Sequence, residues 1–179
     1  QRLEQKYGWR AVSETPGGPV LALTRGHSSI TLEPGAQVEL SGSPLPDLHA
    51  VAHEVSTHLL ELGSVSGELN LRWLSLGFQP FATLEQMPWV PKERYPIMRH
   101  YLPSKGRRAL DMMQRTCTVQ ANFDYESEED ALRKLMLMMR LSPVVQAIGN
   151  NAPFYEGSVS RLLSERADVW LNMDPERSG

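Results

Sequence analysis

Residues with high strand propensity and a polar–apolar alternation predict two strands over residues 19–41. The stretches that carry the signal are residues 19–24, 29–33 and 37–40. Pro34-Gly35, between the last two, is a strong turn signal. Because successive side chains of a strand point to opposite faces, each strand has one polar face. The polar residues predicted to share that face are Thr31, Glu33, Gln37 and Glu39.

Residues 47–62 carry apolar side chains at helical spacing. Asp47 follows a proline and is a natural N-cap, and Gly63 is a natural stop. The predicted apolar stripe consists of Leu48, Val51, Val55, Leu59 and Leu62. The same stretch contains three histidines, but a zinc site needs a further ligand at suitable spacing and no HExxH order is present. We therefore interpret His49, His53 and His58 as solvated residues of the helix surface.

A second helix is predicted over residues 127–141. Ser127 caps it, and acidic residues in the first turn suit the positive end of the helix dipole. Its predicted apolar side carries Leu132, Leu135, Met136, Met139 and Leu141. A separate helix is expected to start at Ser142-Pro143, since proline is tolerated in a first turn. The methionines are interpreted as core residues: Met112, Met113, Met136, Met138 and Met139.

Two further stretches alternate and predict strands, residues 68–78 and residues 116–124. The second has the cleanest pattern in the chain, with Thr118, Gln120, Asn122 and Asp124 on a polar front and Cys117, Val119, Ala121 and Phe123 on an apolar back. The proline-rich stretch 79–103 is predicted to be mostly loop, with one short helix near residues 95–101. Together these elements predict an α+β fold, an antiparallel sheet with helices packed on one face.

Composition narrows the class of protein. The chain has 179 residues, 41% hydrophobic and 22% charged residues, and a net charge of -3, which is ordinary for a globular domain with a core. This charge does not favour nucleic acid or an anionic membrane as a partner, and no apolar run approaches the ~20 residues of a membrane helix. A single cysteine, predicted to lie in the core, makes a reducing cytoplasm the expected compartment.

The polar front of the predicted sheet is the first candidate for chemistry. Two carboxylates and several amides on facing strands suit Mg²⁺, which takes oxygen ligands; the alternative is a sheet face that is polar because it is wet. Near the C-terminus, Arg161, Arg166 and Arg177 suit carboxylate or phosphate binding, or are ordinary surface arginines. No GxxxxGK[ST] or GxGxxG phosphate loop is present in the sequence.

Three long motifs resemble the glutamate–cysteine ligases of the plant and proteobacterial type. The first is ITLEPGAQVELSG, the second combines LGFQP with PKERYPIMR, and the third is LDMMQRTCTVQANFD, followed by the Ser-Pro, Asn-Ala-Pro-Phe and Glu-Gly elements that lead to Arg166 and Trp170. The resemblance runs in order over nearly the whole chain. It implies a glutamine-synthetase-like ligase fold, in which an antiparallel sheet forms a funnel for ATP, Mg²⁺ and amino acids.

The resemblance also implies a reaction, the ligation of the glutamate γ-carboxylate to the cysteine amine through a γ-glutamyl phosphate, the first step of glutathione biosynthesis. Glu33 and Glu39 match the family's motif for the metal ligands and, with Gln120, are the predicted catalytic residues. The predicted substrate-binding residues are Thr118, Asn122, Arg166 and Trp170, with Arg166 pairing with the α-carboxylate of glutamate.

The family pattern is not matched in full. A further acidic strand of the Gly-Thr-Glu-His-Glu type has no counterpart in residues 1–21, and much of the family's C-terminal half is absent. Residues 1–179 are therefore expected to form a single partial catalytic domain that is inactive alone. Two alternatives stay open: a related ligase that joins glutamate to another amine, and a non-catalytic glutamate-binding domain. The oligomeric state is not indicated.

Overall fold

The computed structural model describes residues 1–177, which divide into two compact units. Unit 1 consists of Gln1–Leu74 and Met87–Tyr101. Unit 2 consists of Ser75–Gln86 and the described residues from Leu102 onward. In the part of the chain that is described, no helix is both long and apolar enough to cross a membrane.

Unit 1 contains a four-stranded antiparallel sheet in the order β1-β2-β3-β4. A short helix, α1 (Arg2–Tyr7), precedes it. The strands are β1 (Arg10–Val12), β2 (Ala22–Arg25), β3 (Ser28–Leu32) and β4 (Val38–Ser41). Residues 19–41 thus form three strands rather than the two predicted, since each of the three strand-forming stretches is a strand of its own with ends shifted by one to three residues; the turn at Pro34-Gly35 is confirmed. The combination of an antiparallel sheet with helices is the predicted mixed α and β architecture.

The apolar residues of these strands build the core of unit 1. Ile30 pairs with Leu23 on one side and with Leu40 on the other, so the three side chains share one face of the sheet. Trp9, Leu23 and Ile30 are buried together, with Leu3, Tyr7, Val38 and Leu40 packed around them. The period-two pattern of the sequence thus fixes which face of this sheet is buried.

Helix α2 (Leu48–Leu69) is longer than predicted. Asp47 caps it as expected, accepting from the Ala50 amide at 2.9 Å, but the helix continues through Gly63 and ends at Asn70, which has φ 53°. The predicted strand over residues 68–78 is therefore wrong: its first residues are helical, and residues 71–76 form no strand. A glycine costs a helix only ~1 kcal/mol, and the left-handed Asn70 is the stronger stop.

The buried side of α2 is also not the predicted one. Most of the apolar stripe is exposed, and the buried residues are His58, Glu61, Val65 and Ser66. Glu61 accepts from Trp9 Nε1 at 2.9 Å and from an Arg25 guanidinium nitrogen at 2.7 Å, which ties α2 to the sheet. His49 and His53 are exposed as predicted, whereas His58 is buried, which corrects its interpretation as a surface residue. Polar partners on the sheet, which periodicity does not reveal, decide the orientation of this helix.

The proline-rich stretch is mostly loop, as predicted. It contains one α-helix, α3 (Arg94–Tyr101), and two 3₁₀ turns, Leu84–Gln86 and Leu102–Ser104. The helix belongs to unit 1, and its Tyr95 is buried.

Unit 2 contains three helices and a small hairpin. They are α4 (Ala109–Arg115), α5 (Glu128–Ile148), β5 (Phe154–Tyr155), β6 (Ser158–Val159) and α6 (Glu165–Met173). Helices α4 and α6 are in contact, and Phe78, Ala152 and Val169 form a buried cluster beside them. Ser127 caps α5 as predicted, accepting from the Asp130 amide at 3.1 Å.

Helix α5 differs from its prediction in two ways. It runs without a break through Pro143, so the separate helix expected from Ser142 does not exist. None of its residues is buried, and its apolar side is exposed. Met136, Met138 and Met139 are therefore not core residues, unlike Met113, which is buried. Amphipathic spacing states which face a helix can bury, but it does not supply the surface that buries it.

The predicted strand over residues 116–124 is wrong. Thr116 forms an isolated bridge with Phe78, and residues 117–124 have no regular structure. Cys117 is exposed rather than in the core, and Val119 is 99% exposed. A strand needs a neighbour for its backbone hydrogen bonds. Among residues 1–177, this stretch has that neighbour only at its start, where Thr116 bridges to Phe78 and the Cys117 amide donates to the Gly77 carbonyl at 3.0 Å.

Candidate functional site

The predicted metal ligands lie on the polar face of the unit 1 sheet. Thr31 pairs with Glu39, and the Glu33 amide donates to the Gln37 carbonyl at 2.8 Å. These four side chains therefore share the face opposite the core, as the alternation predicted. Glu39 is exposed, and its carboxylate accepts from Ser41 Oγ at 3.4 Å.

Glu33 has more partners than Glu39. Its carboxylate lies 3.5 Å from Lys92 Nζ and accepts from Tyr95 OH at 3.4 Å and from Thr31 Oγ1 at 3.2 Å. Lys92 itself is largely buried. Sequence reasoning missed Lys92, although it lies in the Pro-Lys-Glu-Arg-Tyr-Pro motif, because no periodicity connects this loop to the strands.

Glu33 and Glu39 are carboxylates on one face of the sheet, and carboxylate oxygens are the ligand type that Mg²⁺ takes. Mg²⁺ in proteins is bound through one or two carboxylates, with water and substrate phosphates completing six oxygens. Within residues 1–177, no group of three or more His, Cys, Asp or Glu side chains is arranged so that it could hold a metal ion by itself. Glu33 and Glu39 would therefore hold the ion together with its water or phosphate ligands, and Lys92 already offsets part of the charge on Glu33.

In unit 2, Arg166 connects α6 to the stretch after α4. Arg166 Nε donates to the Cys117 carbonyl and Nη2 donates to Thr118 Oγ1, both at 2.9 Å. The guanidinium lies 5.6 Å from the centre of the Trp170 ring. The structure thus brings together three of the predicted substrate-binding residues, Thr118, Arg166 and Trp170.

Arg166 is a partly buried cation with neutral hydrogen-bond acceptors. Burial lowers its pKa from the ordinary value, and Cys117 raises it to a smaller degree. Among the described residues, no carboxylate forms an ion pair with it. A pocket of about 260 Å³ opens beside it, lined by Gln146, Arg166, Ala167, Trp170 and Leu171. This arrangement suits an anionic ligand that would form an ion pair with Arg166.

Gln120 and Asn122 lie further along the same stretch. Gln120 Nε2 donates to Asn122 Oδ1 at 3.1 Å, and both side chains are exposed. Because residues 117–124 are not a strand, these amides are not part of the sheet that carries Glu33 and Glu39, which corrects the predicted polar front. Their roles in substrate binding and catalysis stay predictions.

The sequence profile of one protein family covers nearly the whole chain. It is the profile described as "Glutamate-cysteine ligase family 2", and it matches residues 2–179. This chain belongs to that family. The resemblance read from the three motifs is thereby confirmed.

Curated relatives support the same family. The chain is 43% identical over 177 residues to "Glutamate–cysteine ligase, chloroplastic" of Brassica juncea, covering 99% of this chain and 34% of that protein. It is 44% identical over 177 residues to "Glutamate–cysteine ligase A, chloroplastic" of Oryza sativa subsp. japonica, covering 99% of this chain and 36% of that protein. The chain of this family member spans about a third of the length of these relatives.

A buried group of charges in unit 2 was not predicted from the sequence. Arg108 Nη1 lies 2.7 Å from both Glu165 Oε2 and Asp168 Oδ2, and Arg108 Nε lies 3.1 Å from Asp111 Oδ2. We call these four residues the Arg108 cluster. Three of them, Arg108, Asp111 and Glu165, line a cleft of about 360 Å³ together with Arg107, Tyr155 and Leu162. The only signal in the sequence was the i, i+3 spacing of opposite charges.

A second buried arginine adjoins the Arg108 cluster. Arg115 is 1% exposed and lies 3.0 Å from Asp111 Oδ1 and 3.2 Å from Glu156 Oε1. Its guanidinium lies over the rings of Phe78 and Tyr155, at 4.6 and 4.9 Å from their centres. The aromatic rings thus form cation–π contacts with the buried charge. Asp111 forms ion pairs with both Arg108 and Arg115.

Proposed function

We propose that the full-length protein carrying this chain is an ATP- and Mg²⁺-dependent glutamate–cysteine ligase. In the proposed reaction the γ-carboxylate of glutamate attacks the γ-phosphorus of ATP and releases ADP. The amine of cysteine then attacks the γ-glutamyl phosphate, and phosphate leaves. The product, γ-glutamylcysteine, is the first intermediate of glutathione biosynthesis. Family membership over residues 2–179 is the observation that carries this proposal.

The pocket at Arg166 supports a role in glutamate binding. The hydrogen bonds of Arg166 to Cys117 and Thr118 use two of the five donors of its guanidinium. The donors that remain suit two parallel hydrogen bonds to an α-carboxylate, the geometry for which arginine is favoured. Trp170 lies beside the guanidinium and offers its ring face to the cation. Arg166 would thus orient glutamate so that its γ-carboxylate is free to react.

The carboxylates of the unit 1 sheet support a role in holding the metal. When bound, Mg²⁺ would neutralise charge on the phosphate oxygens during transfer. Glu39 offers an exposed carboxylate for this purpose, and Glu33 shares its charge with Lys92. Phosphoryl transfer needs positioning and charge neutralisation rather than a protein nucleophile, so no covalent role is proposed for Cys117.

Thr118, Gln120 and Asn122 would donate or accept hydrogen bonds to the bound amino acids, since all three are exposed polar side chains on one stretch. Gln120 is the proposed catalytic member of this group. The reducing cytoplasm, inferred from the single cysteine, is kept as a proposal.

ADP release by the full-length protein tests the function. With Mg²⁺, ATP and glutamate present, we expect ADP to form when cysteine is added and not when ammonia is added. ADP formation with ammonia or another amine, but not with cysteine, would identify a related ligase. Glutamate binding without ADP from any acceptor would identify a non-catalytic binding domain.

A further inference from the structure

The place of the Arg166 guanidinium depends on how α4 and α6 pack. Arg166 is the second residue of α6, and both of its hydrogen-bond acceptors lie within three residues of the end of α4. A shift of α6 along or around α4 would therefore move the guanidinium relative to Cys117 and Thr118. Whatever fixes the two helices against each other also fixes this arginine.

The Arg108 cluster joins the two helices through ion pairs. Arg108 is the N-cap residue of α4, and Glu165 and Asp168 are in the first turn of α6. One guanidinium nitrogen of Arg108 binds both carboxylates at 2.7 Å. The side chains of Arg108 and Glu165 are each 8% exposed, so solvent and salt screen this contact little.

The backbones also approach closely at the far end of α6. The Arg108 amide donates to the Asn172 carbonyl at 3.2 Å, and Arg107 Nε donates to Asn172 Oδ1 at 3.1 Å. A Cβ at Gly106 would collide with the backbone carbonyls of Asn172 and Met173. The residues before α4 thus contact the C-terminal end of α6. The ion pairs of the Arg108 cluster lie at the other end of α6, the end nearest Arg166.

Glu165 and Arg166 are neighbours in sequence with different tasks. Consecutive helix residues point about 100° apart, so the Glu165 carboxylate reaches Arg108 while the Arg166 side chain reaches Thr118. Burial alone would lower the pKa of Arg108, but hydrogen bonds to Glu165 and Asp168 outweigh it and raise the pKa. Arg108 therefore stays a cation over the working pH range.

We propose that the Arg108 cluster is a positioning device, which sets the Arg166 guanidinium in place for the α-carboxylate of glutamate through the contact between α4 and α6. This inference rests on the function proposed above. The cluster touches no substrate in this role; it acts through Arg166. A displacement of about 1 Å at a binding group is enough to change its contribution by an order of magnitude or more.

The test is Glu165→Gln in the full-length enzyme, with KM and kcat measured for glutamate and for ATP. Glutamine keeps the shape and one acceptor but removes the charge that Arg108 binds. We expect KM for glutamate to rise about tenfold, with kcat and KM for ATP within about twofold of the unsubstituted enzyme. Equal changes in both KM values, or a lower kcat alone, would mean a general structural role and would overturn the inference.

Asp130→Asn is the matched control. Asp130 is a carboxylate of unit 2 that also binds two cations, Arg133 and Lys134, both at 2.6 Å. It lies on α5, outside the contact between α4 and α6. We expect KM for glutamate to stay within about twofold in this variant. A tenfold rise in the control as well would remove the specificity of the effect and overturn the inference.

A double-mutant cycle with Arg166→Ala separates the inference from the proposed function. If Glu165 acts through Arg166, Glu165→Gln should add little to KM for glutamate once Arg166 is alanine. Arg166→Ala with a raised KM, but additive effects in the double variant, would overturn the positioning role alone. Arg166→Ala with an unchanged KM would contradict glutamate binding at Arg166 and overturn both.

Arg108→Lys decides the question if Glu165→Gln does not fold. Lysine keeps the buried positive charge but lacks the fork that binds three carboxylates at once. We expect KM for glutamate to rise at least about threefold at unchanged KM for ATP. An unchanged KM for glutamate in this variant would overturn the inference.

Discussion

Residues 28–41 and residues 116–124 show the same alternation of polar and apolar side chains, yet only the first forms strands. In β3 and β4, each strand pairs with a neighbour, and Ile30 lies in a buried cluster. In the second stretch, pairing ends at Thr116, and Val119 is almost fully exposed. Alternation therefore states which side chains can share a face, while hydrogen bonding to a neighbouring strand decides whether that face exists.

The two regions also hold their candidate site residues differently. Glu33 and Glu39 are placed by a ladder of backbone hydrogen bonds and by a hairpin turn. Thr118 is placed by one side chain, Arg166. Substitution of Glu33 or Glu39 should therefore change activity without changing the fold. Substitution of Thr118 or Arg166 should change both the conformation of the loop and the binding of the ligand.

The largest expected effect is on Glu39, which belongs to the ordered region but is exposed. We expect Glu39→Gln to lower turnover about 10³-fold, equivalent to roughly 4 kcal/mol of transition-state stabilisation, because a metal ligand loses its charge. The thermal unfolding midpoint should stay unchanged, since the side chain is not packed. Ser29→Ala, on the same face of the sheet, is the control and should keep turnover. Normal turnover of Glu39→Gln at saturating Mg²⁺ would remove Glu39 from the metal site.

The next effect compares the two alternating stretches directly. Ile30→Ala should destabilise the protein by about 3 kcal/mol, because it leaves a cavity in the unit 1 core. Val119→Ala should change stability by less than about 0.5 kcal/mol, because the side chain is already in solvent. Chemical denaturation of both variants measures the difference. Equal losses would show that Val119 is packed, which would contradict the exposed loop.

Arg166→Ala should have a smaller effect, confined to one substrate. We expect KM for glutamate to rise about 30-fold, equivalent to roughly 2 kcal/mol, because a charged hydrogen-bond donor to the α-carboxylate is lost. Steady-state kinetics with glutamate varied at saturating ATP and cysteine measure it. Arg133→Ala, an exposed arginine of α5, is the control. An unchanged KM for glutamate in Arg166→Ala would exclude Arg166 from that binding site.

The smallest effect concerns the far end of the irregular stretch. Lys134 Nζ donates to the Asp124 carbonyl and to Asp130, both at distances of 2.6–2.7 Å. Hydrogen bonds from Lys134 and then Arg133 lower the pKa of Asp130 from 3.8 to about 2. A lowered carboxyl pKa stabilises the fold above the unfolded pKa, and this contribution is lost as pH falls from about 4 through about 2.

An NMR titration of Asp130 checks this last prediction. The carboxyl should titrate near the lowered value, and Lys134→Ala should raise its pKa toward the ordinary one because the first hydrogen bond is removed. An unchanged Asp130 pKa in Lys134→Ala would show that Lys134 does not donate a hydrogen bond to this carboxylate. It would then also contradict the placement of Lys134 at the Asp124 carbonyl, the end of the irregular stretch.

The fold could be predicted where local pattern and tertiary contacts agree. The caps at Asp47 and Ser127 and the turn at Pro34-Gly35 depend on neighbouring backbone alone, and each is confirmed. The continuation of α2 through Gly63 and of α5 through Pro143 was not predictable, because a single unfavourable residue is outweighed by the rest of the helix. The site shows the same division: Glu33 and Glu39 share a face as predicted, but Lys92 comes from a distant loop.

The sequence by itself determined the family, the antiparallel hairpin that carries Glu33 and Glu39, and the residue types suited to a carboxylate and a cation. Its motifs and its period of two are local properties of neighbouring residues. Only the tertiary structure decided that Arg166 meets Thr118, and that Arg108 joins α4 to α6 through Glu165 and Asp168. Such contacts join residues about 50 to 60 positions apart. They depend on which helices pack together, since packing buries the charged side chains. A charge that needs no partner in water must be paired once it is buried.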